Sequence, residues 1–486
     1  MTAGGGRRAL FTGREAARVA EGRLRGSADA VITGAASDSR RARPGDLFVA
    51  IRGERVDGHD FVPTAVAQGA TAVLVERVDP AWALPPEVAV IQVHNAVLAL
   101  GRLALHHRRR FPVRVTAVTG SVGKTSTKDL IASVLVQGFR LLKTEGNLNT
   151  EIGLPLTLFR LDAGTEAAVV EMGMRGLGQI RYLASLAEPA VGVITNIGRT
   201  HLELLGSEEN IARAKAELVE ALPEDGFAVL NADDGWTPFV ADRTRTRILR
   251  YGWEGGAHPD VYAAGVRSLG ADGTSFRLFT PQGAADVLLP LPGRHNVSNA
   301  LAAAAVGFAW GLTPGQIAAG LAAARISDKR LHVIHAGPVT ILDDTYNASP
   351  VSTKAALEVL AGLSASRTVA VLGNMLELGE YAPEGHREVG RAAARLGADL
   401  LICVGDLAAE IAVGAREAGL GERVRHVAER QAAVPLMLEL VRPGDAVLVK
   451  GSRGMAMEAL VEALQQRFGG GAGPGRPSGL GEGSGK

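Results

Sequence analysis

Short apolar, β-branched runs alternate along this chain with stretches whose apolar residues recur every three to four positions. In the middle of the chain such runs fall at 113–118, 167–170, 191–195 and 228–230, and helical spacing follows, as over 128–135 after the first. That alternation predicts a mostly parallel sheet flanked by helices, with ligands at the carboxyl ends of the strands. Earlier runs at 31–33, 47–51 and 71–75, separated by turn signals, predict a small α/β unit closing near residue 93. Residues 95–109 predict an amphipathic helix leading out of it. From about residue 327 the doubly wound pattern returns, with runs at 339–342, 369–372, 400–404 and 446–449. The expectation is an α/β protein of three units, 1–93, 94–326 and 327–468. The Gly-rich residues 1–6 and the Gly/Pro/Ser-rich tail 469–486 are expected to be disordered.

Composition narrows the classes without choosing among them. A 486-residue chain that is 47% hydrophobic has ample material for several cores. With Lys+Arg 52 against Asp+Glu 51 there is no basic footprint for nucleic acid, so any anion must be held by local sites. The basic cluster His106-His107-Arg108-Arg109-Arg110 is short and reads as a solvated helix end. Cys403 is the single cysteine, which excludes an internal disulfide and a multi-cysteine metal site and fits a reducing compartment. The most apolar run, 300–312, is too short to span a bilayer, and no signal-like core opens the chain, so a cytoplasmic protein is expected.

Candidate chemistry centres on Thr119-Gly120-Ser121-Val122-Gly123-Lys124-Thr125-Ser126, between a predicted strand and a predicted helix. Gly120 and Gly123 allow backbone N–H groups to turn toward an anion, the helix N-terminus adds partial positive charge, and Lys124 reaches outer phosphates. Thr125 or Ser126 offers a hydroxyl to Mg²⁺. The loop is a variant, since Val118 stands where the usual pattern has its first glycine. Phosphoryl chemistry also calls for a divalent ion. Glu171, at a strand end, suits Mg²⁺, whereas His201 is a less usual ligand for an ion that prefers oxygen. Other polar positions read modestly from pattern alone. Lys215, within Ala-Lys-Ala-Glu on an evident helix, reads as solvated, and Asn296 and Asn299 open an Ala-rich helix as caps would. Asp343-Asp344-Thr345-Tyr346-Asn347 either holds ribose or base or forms an Asx turn. A guanine-reading Asn-Lys-x-Asp, which a GTPase-type switch would want, is absent.

Taken together, these segments resemble the Mur ligase family, ATP-dependent amide-forming enzymes of peptidoglycan precursor synthesis, from about residue 38 to 455. The resemblance implies a substrate-binding first domain, a central ATPase domain and a Rossmann-like third domain. It implies that the loop from Gly120 to Ser126 binds ATP, with Lys124 acting on the transferred phosphoryl group. It also implies that Thr125, Glu171, His201 and Lys215 serve Mg²⁺, Lys215 as an N6-carboxylated (carbamate) lysine. Asn296 and Asn299 match the adenine side, and Arg330, Asp344 and Asn347 match third-domain residues that close on the nucleotide. Asp38-Ser39-Arg40 is similar to the UDP-sugar-binding segment of two branches of the family. Gly146-Asn147-Leu148-Asn149, the run Gly373-Asn374-Met375-Leu376-Glu377-Leu378-Gly379 with His386, and Lys450-Gly451-Ser452-Arg453 look like the branch that adds D-Ala-D-Ala to UDP-MurNAc-tripeptide. On that resemblance Asn147, Asn149, Lys450, Ser452 and Arg453 are expected to meet substrates, and the protein is expected to be a monomer. The Asp-Asn-Pro-Arg motif of diaminopimelate-adding members is absent, and Asp-Ser-Arg argues against a folate-type member. Gln179 departs from the family's usual Glu and keeps its hydrogen bonding without its charge.

Overall fold

A computed structural model describes residues 8–53, 56–200, 202–327 and 329–470. Three larger sheets organise it, of five, nine and six strands in chain order. In the nine-stranded sheet, Arg114–Thr119 lies between Ala167–Glu171 and Val191–Ile194, all parallel. Continuous burial on both faces explains why these strands read as unbroken apolar runs. Helices Lys124–Leu135 and Arg294–Ala309 cover one face, where Val118, Ile131, Val134 and the alanines 302–305 share a core. The Ala-rich surface allows this close approach of helix to sheet.

The sheet's far edge departs from the simple pattern. Beyond Arg247–Trp253, the strand Val261–Ser268 is still parallel, but Thr274–Thr280 and Gly283–Leu289 run antiparallel. These strands alternate buried and partly exposed residues, so they lack the solid apolar runs that mark the central strands. The first unit's sheet orders Arg23–Gly26, Ala89–Gln92, Ala72–Val75, Asp46–Val49 and Gly34–Ala36, antiparallel only at the first pair. In the third sheet His332–Ala336 is antiparallel to Val339–Asp344, and the other strands, including Asp445–Lys450, are parallel.

The basic run after residue 105 is a seam at His107 and Arg108, while Arg109 and Arg110 are exposed as a solvated end would be. His107 is buried with its Nε2 3.0 Å from the Leu161 carbonyl, and Arg108 donates to the carbonyls of Ala187 at 2.9 Å and Val113 at 3.2 Å. Carbonyl groups left at neighbouring segment ends give the guanidinium its partners, which no linear pattern reveals. The helix Glu458–Gly469 occupies the position where the tail was expected to begin; residues 1–7 and 471–486 lie outside the described residues. Among the described residues no helix is long and apolar enough to cross a membrane.

Two glycines set the closest helix pair of the third unit. A Cβ on Gly390, in Ala382–Arg395, would lie 2.0 Å from the Ile411 carbonyl oxygen, and one on Gly414, in Ala409–Glu417, would lie 2.3 Å from that of Arg387. Backbone on both sides leaves no room for relaxation by rotamer. Gly390→Ala is therefore expected to destabilise the third unit by about 1–3 kcal/mol, the scale of overpacking, read as a lowered urea midpoint.

Candidate active site

The phosphate loop turns at two glycines held by contacts on either side. Gly120 has φ +148°, and a Cβ there would meet the Thr195 hydroxyl at 1.9 Å; Gly123 has φ +87° and begins the helix Lys124–Leu135. Asn196, just past the strand Val191–Ile194, accepts from Val122 N at 2.9 Å and donates to Val122 O at 2.8 Å. Ser121 N donates to the Asn196 carbonyl at 2.9 Å. The loop is thus clamped from the neighbouring strand, leaving its helix-terminal N–H groups to face an anion. Lys124 Nζ folds back onto the loop carbonyls of Gly120 at 2.7 Å and Ser121 at 3.3 Å. Burial holds its pKa below the usual lysine range, and the charge of Glu171 opposes that shift.

Glu171 ends the adjacent strand and is almost fully buried. Its Oε1 accepts from Asn149 Nδ2 at 2.8 Å, whereas Oε2 is buried without a hydrogen-bond partner. Lys128 Nζ lies 4.0 Å from that oxygen. Lys215, on helix Glu208–Glu220, is not solvated: it is 2% exposed and lines the same cleft. Burial drives its pKa well below the ordinary value, and the positive charge of Lys124 adds to the shift. Its helix is fixed by Glu217, which accepts from Gly178 N at 2.6 Å and Arg181 N at 3.0 Å and so caps the helix Gln179–Ala187.

The third unit forms the opposite wall. Arg330, Asp344, Tyr346, Asn347 and Lys450 line one cleft of about 910 Å³ together with the phosphate loop, Asn147, Asn149, Glu171, Lys215, Asn296 and Asn299. Asp343 forms the Asx turn, accepting from Thr345 N at 3.1 Å. Asp344 instead accepts from Lys450 Nζ at 2.5 Å and Leu331 N at 3.2 Å. Burial raises the Asp344 pKa despite the nearby charges of Lys450 and Arg330. Asn296 is no simple cap, since Gly293 holds that position; its Nδ2 donates to the Pro292 carbonyl at 2.9 Å. Asn299 Oδ1 accepts from Thr127 at 3.1 Å, joining this helix to the phosphate-loop helix.

His295 lies between the two walls, where burial, helped by the Lys450 charge, pushes its pKa down to about 4. A histidine at 6.5 unfolded and about 4 folded takes up its proton more readily in the unfolded state. Its contribution to stability is complete above pH 6.5 and is lost as pH falls toward 4. With allowance for partial exposure the effect is about 1–2 kcal/mol, and His295→Asn should flatten the pH dependence of the urea midpoint over that window.

Three family models cover most of the chain: the Mur ligase middle domain matches residues 118–307, the Mur ligase glutamate ligase domain 329–453, and the Mur ligase family catalytic domain 31–108. The chain belongs to the Mur ligase family. Among its relatives, the UDP-N-acetylmuramoyl-tripeptide--D-alanyl-D-alanine ligase of Escherichia coli is 40% identical over 92% of this chain and 97% of its own length. A crystal structure of MurF from Acinetobacter baumannii is 34% identical with a TM-score of 0.86, covering 94% of this chain and 99% of that one. MurF from Thermotoga maritima, solved in complex with ADP, is 30% identical with a TM-score of 0.78, covering 90% and 98%.

Against this Mur ligase frame the remaining sequence-named residues divide. Asp38 accepts from Arg40 N and, with Ser39, sits in the first unit's turn at Ser39–Arg41, away from the cleft-lining set. The Ser452 hydroxyl accepts from Leu376 N at 2.9 Å, and Arg453 pairs with Glu458 at 3.0 Å; neither lines the cleft. His201 lies outside the described residues. Gln179 Oε1 accepts from Arg175 N at 2.6 Å and Gly176 N at 3.1 Å, contacts that a neutral amide makes without needing charge. Sequence reasoning missed Lys128 and Asp129, both buried directly behind the phosphate loop. Their available signal was two adjacent charges just before the apolar half of the helix, with Lys128 one turn after Lys124.

Proposed function

We propose that this chain joins D-Ala-D-Ala to UDP-MurNAc-tripeptide, splitting ATP to ADP and phosphate and completing the UDP-MurNAc-pentapeptide of peptidoglycan. The observation that carries the reading is the single cleft in which a phosphate loop, a carboxylate with one unpartnered oxygen and a buried lysine face the third unit. The names of relatives matched along nearly the whole chain give its substrates.

A carboxylate is a poor acyl donor because its leaving group would be oxide. In this reading an oxygen of the tripeptide's terminal carboxylate attacks the γ-phosphorus of ATP, the bond to the bridging oxygen breaks, and ADP leaves. The D-Ala-D-Ala amine, having lost its proton, then attacks the acyl phosphate carbon and phosphate departs. The loop N–H groups hold the phosphates, and Lys124 moves from its own loop carbonyls to the transferred group. Asn149 fixes the Glu171 carboxylate, while Asn296 and Asn299 stand on the adenine side, and Arg330, Asp344 and Asn347 close from the third unit.

The donor set fits Mg²⁺: the orphaned Glu171 Oε2 and the Thr125 hydroxyl are oxygen ligands facing the cleft. A carbamate on Lys215, which lines the same cleft, would supply a second carboxylate. The neutral amine favoured by burial is the form that adds to CO₂, losing a proton as the carbamate forms. Held by these residues, Mg²⁺ would neutralise charge on the phosphates. His201 is given the ligand role that the family resemblance implies. Asp38, Ser39 and Arg40 are assigned to the UDP-sugar, and Asn147, Asn149 and Lys450 to the peptide substrates. Ser452 and Arg453 support that wall through the Leu376 and Glu458 contacts.

The test is phosphate release with ATP and Mg²⁺, comparing UDP-MurNAc-tripeptide plus D-Ala-D-Ala with UDP-MurNAc-dipeptide plus a diamino acid. Release only with the first pair, with a pentapeptide product by mass, is expected. Release only with the second would keep the ligase chemistry and overturn the assigned substrates.

A further inference from the structure

At the end of strand Arg247–Trp253 the indole of Trp253 reaches the cleft wall, and the Arg294 guanidinium lies 4.2 Å over its ring centroid. Trp253 is anchored by its backbone, which donates to Asp233 Oδ2 at 3.1 Å. Arg294 is exposed and opens the helix Arg294–Ala309. Its one described partner is that indole: no carboxylate or carbonyl accepts from it among the described residues. An arginine in the wall of an anion-binding cleft would ordinarily pair with a carboxylate. Here it is held over an aromatic ring, with no acceptor for its donors among the described residues.

The position suits a nucleobase. Asn299, on the same helix, contacts the phosphate-loop helix through Thr127, and a Cβ on Gly123 would meet its Oδ1 at 2.7 Å. Arg294 lies five residues earlier, about 7.5 Å along the helix axis, which separates a base-binding surface from the phosphates. Guanidinium planes and aromatic rings both stack on bases. We propose that Trp253 and the Arg294 stacked on it form the surface on which the purine of the bound nucleotide lies, a contribution distinct from the asparagines of the same helix. The proposal rests on the ATP reading above, and both residues belong to the central unit, so it does not depend on how the third unit is oriented.

The experiment titrates the full chain with MgADP and with inorganic tripolyphosphate, by calorimetry and by tryptophan fluorescence. Wild type should bind both, and ADP alone should change the indole emission. In Trp253→Phe that change should vanish, although Trp82, Trp236 and Trp310 remain. Arg294→Ala and Trp253→Ala should each weaken ADP about tenfold while leaving tripolyphosphate within about twofold, the scale of losing one stacking partner. Trp253→Phe keeps a ring, so its loss of signal is informative even if Trp253→Ala folds poorly. Unchanged ADP affinity in both alanine variants, equal losses for ADP and tripolyphosphate, or an emission change that survives Trp253→Phe would overturn the proposal. Failure of wild type to bind either ligand would instead overturn the ATP reading on which it stands.

Discussion

Lys215→Ala should reduce ligation by about 10²–10³-fold, the scale of removing a group that organises charge at a transferring phosphoryl centre. Short carboxylic acids added to the variant should restore part of the rate. The reasoning begins with burial: at 2% exposure, with Lys124 adding positive charge nearby, an ammonium at Lys215 is strongly disfavoured. A neutral amine in the cleft that also holds the Glu171 carboxylate has no obvious structural purpose, whereas its carbamate would be a second oxygen ligand. The substitution leaves a space once filled by the lysine stem, into which a small carboxylate fits. Steady-state phosphate release with and without added acid measures both effects. Full activity in the unsupplemented variant would end the carbamate assignment, and a loss without rescue would leave Lys215 a packing role only.

Asp129→Ala should be the most destabilising single change in the central unit, by about 3–5 kcal/mol, the scale of breaking a buried ion pair from one side. Asp129 Oδ1 accepts from Lys143 at 2.7 Å and lies 3.5 Å from Lys128, while Oδ2 accepts from Ser327 N at 3.0 Å and Ser327 Oγ at 2.6 Å. Burial alone would raise its pKa; Lys128, Lys143 and Ser327 together reverse that and hold it below the usual carboxylate value. Its stabilisation is therefore present above the unfolded pKa near 3.8 and lost as pH falls through the lower folded value. Without Asp129, Lys128 keeps, among the described residues, the Glu171 carboxylate 4.0 Å away. The double variant Asp129→Ala with Lys128→Met removes the stranded charge and should recover part of the loss, so a urea-denaturation cycle separates the charge from the cavity. Because Ser327 leads toward the third unit, the single variant should also speed proteolysis over residues 324–330. An unchanged urea midpoint would show that the polar cluster carries no net stability.

Much of the architecture was legible because the central strands are buried on both faces. Val191–Ile194 and Leu400–Val404 are continuous apolar runs for that reason, and each is followed by the turn residues and helical spacing of a crossover. Thr274–Thr280 and Gly283–Leu289 escaped, since one-sided sheets with partly exposed alternation produce no such run. The phosphate loop was legible for a different reason: its glycines, lysine and hydroxyls act through local backbone geometry, and local geometry is written in contiguous residues.

Sequence by itself therefore determined the mostly parallel α/β plan, the phosphate loop from Gly120 to Ser126, the strand-end position of Glu171 and, through resemblance, the family. Tertiary structure alone decided which lysines are buried. Lys215 and Lys128 sit on helices whose residue pattern permits solvation, and both are buried because neighbouring segments close over them. It alone also brought Asp344 and Lys450, 106 residues apart, to 2.5 Å, and set Arg294 on Trp253. Burial and long-range pairing depend on which surfaces meet after the chain has folded, and a one-dimensional pattern records only which residues are available to meet.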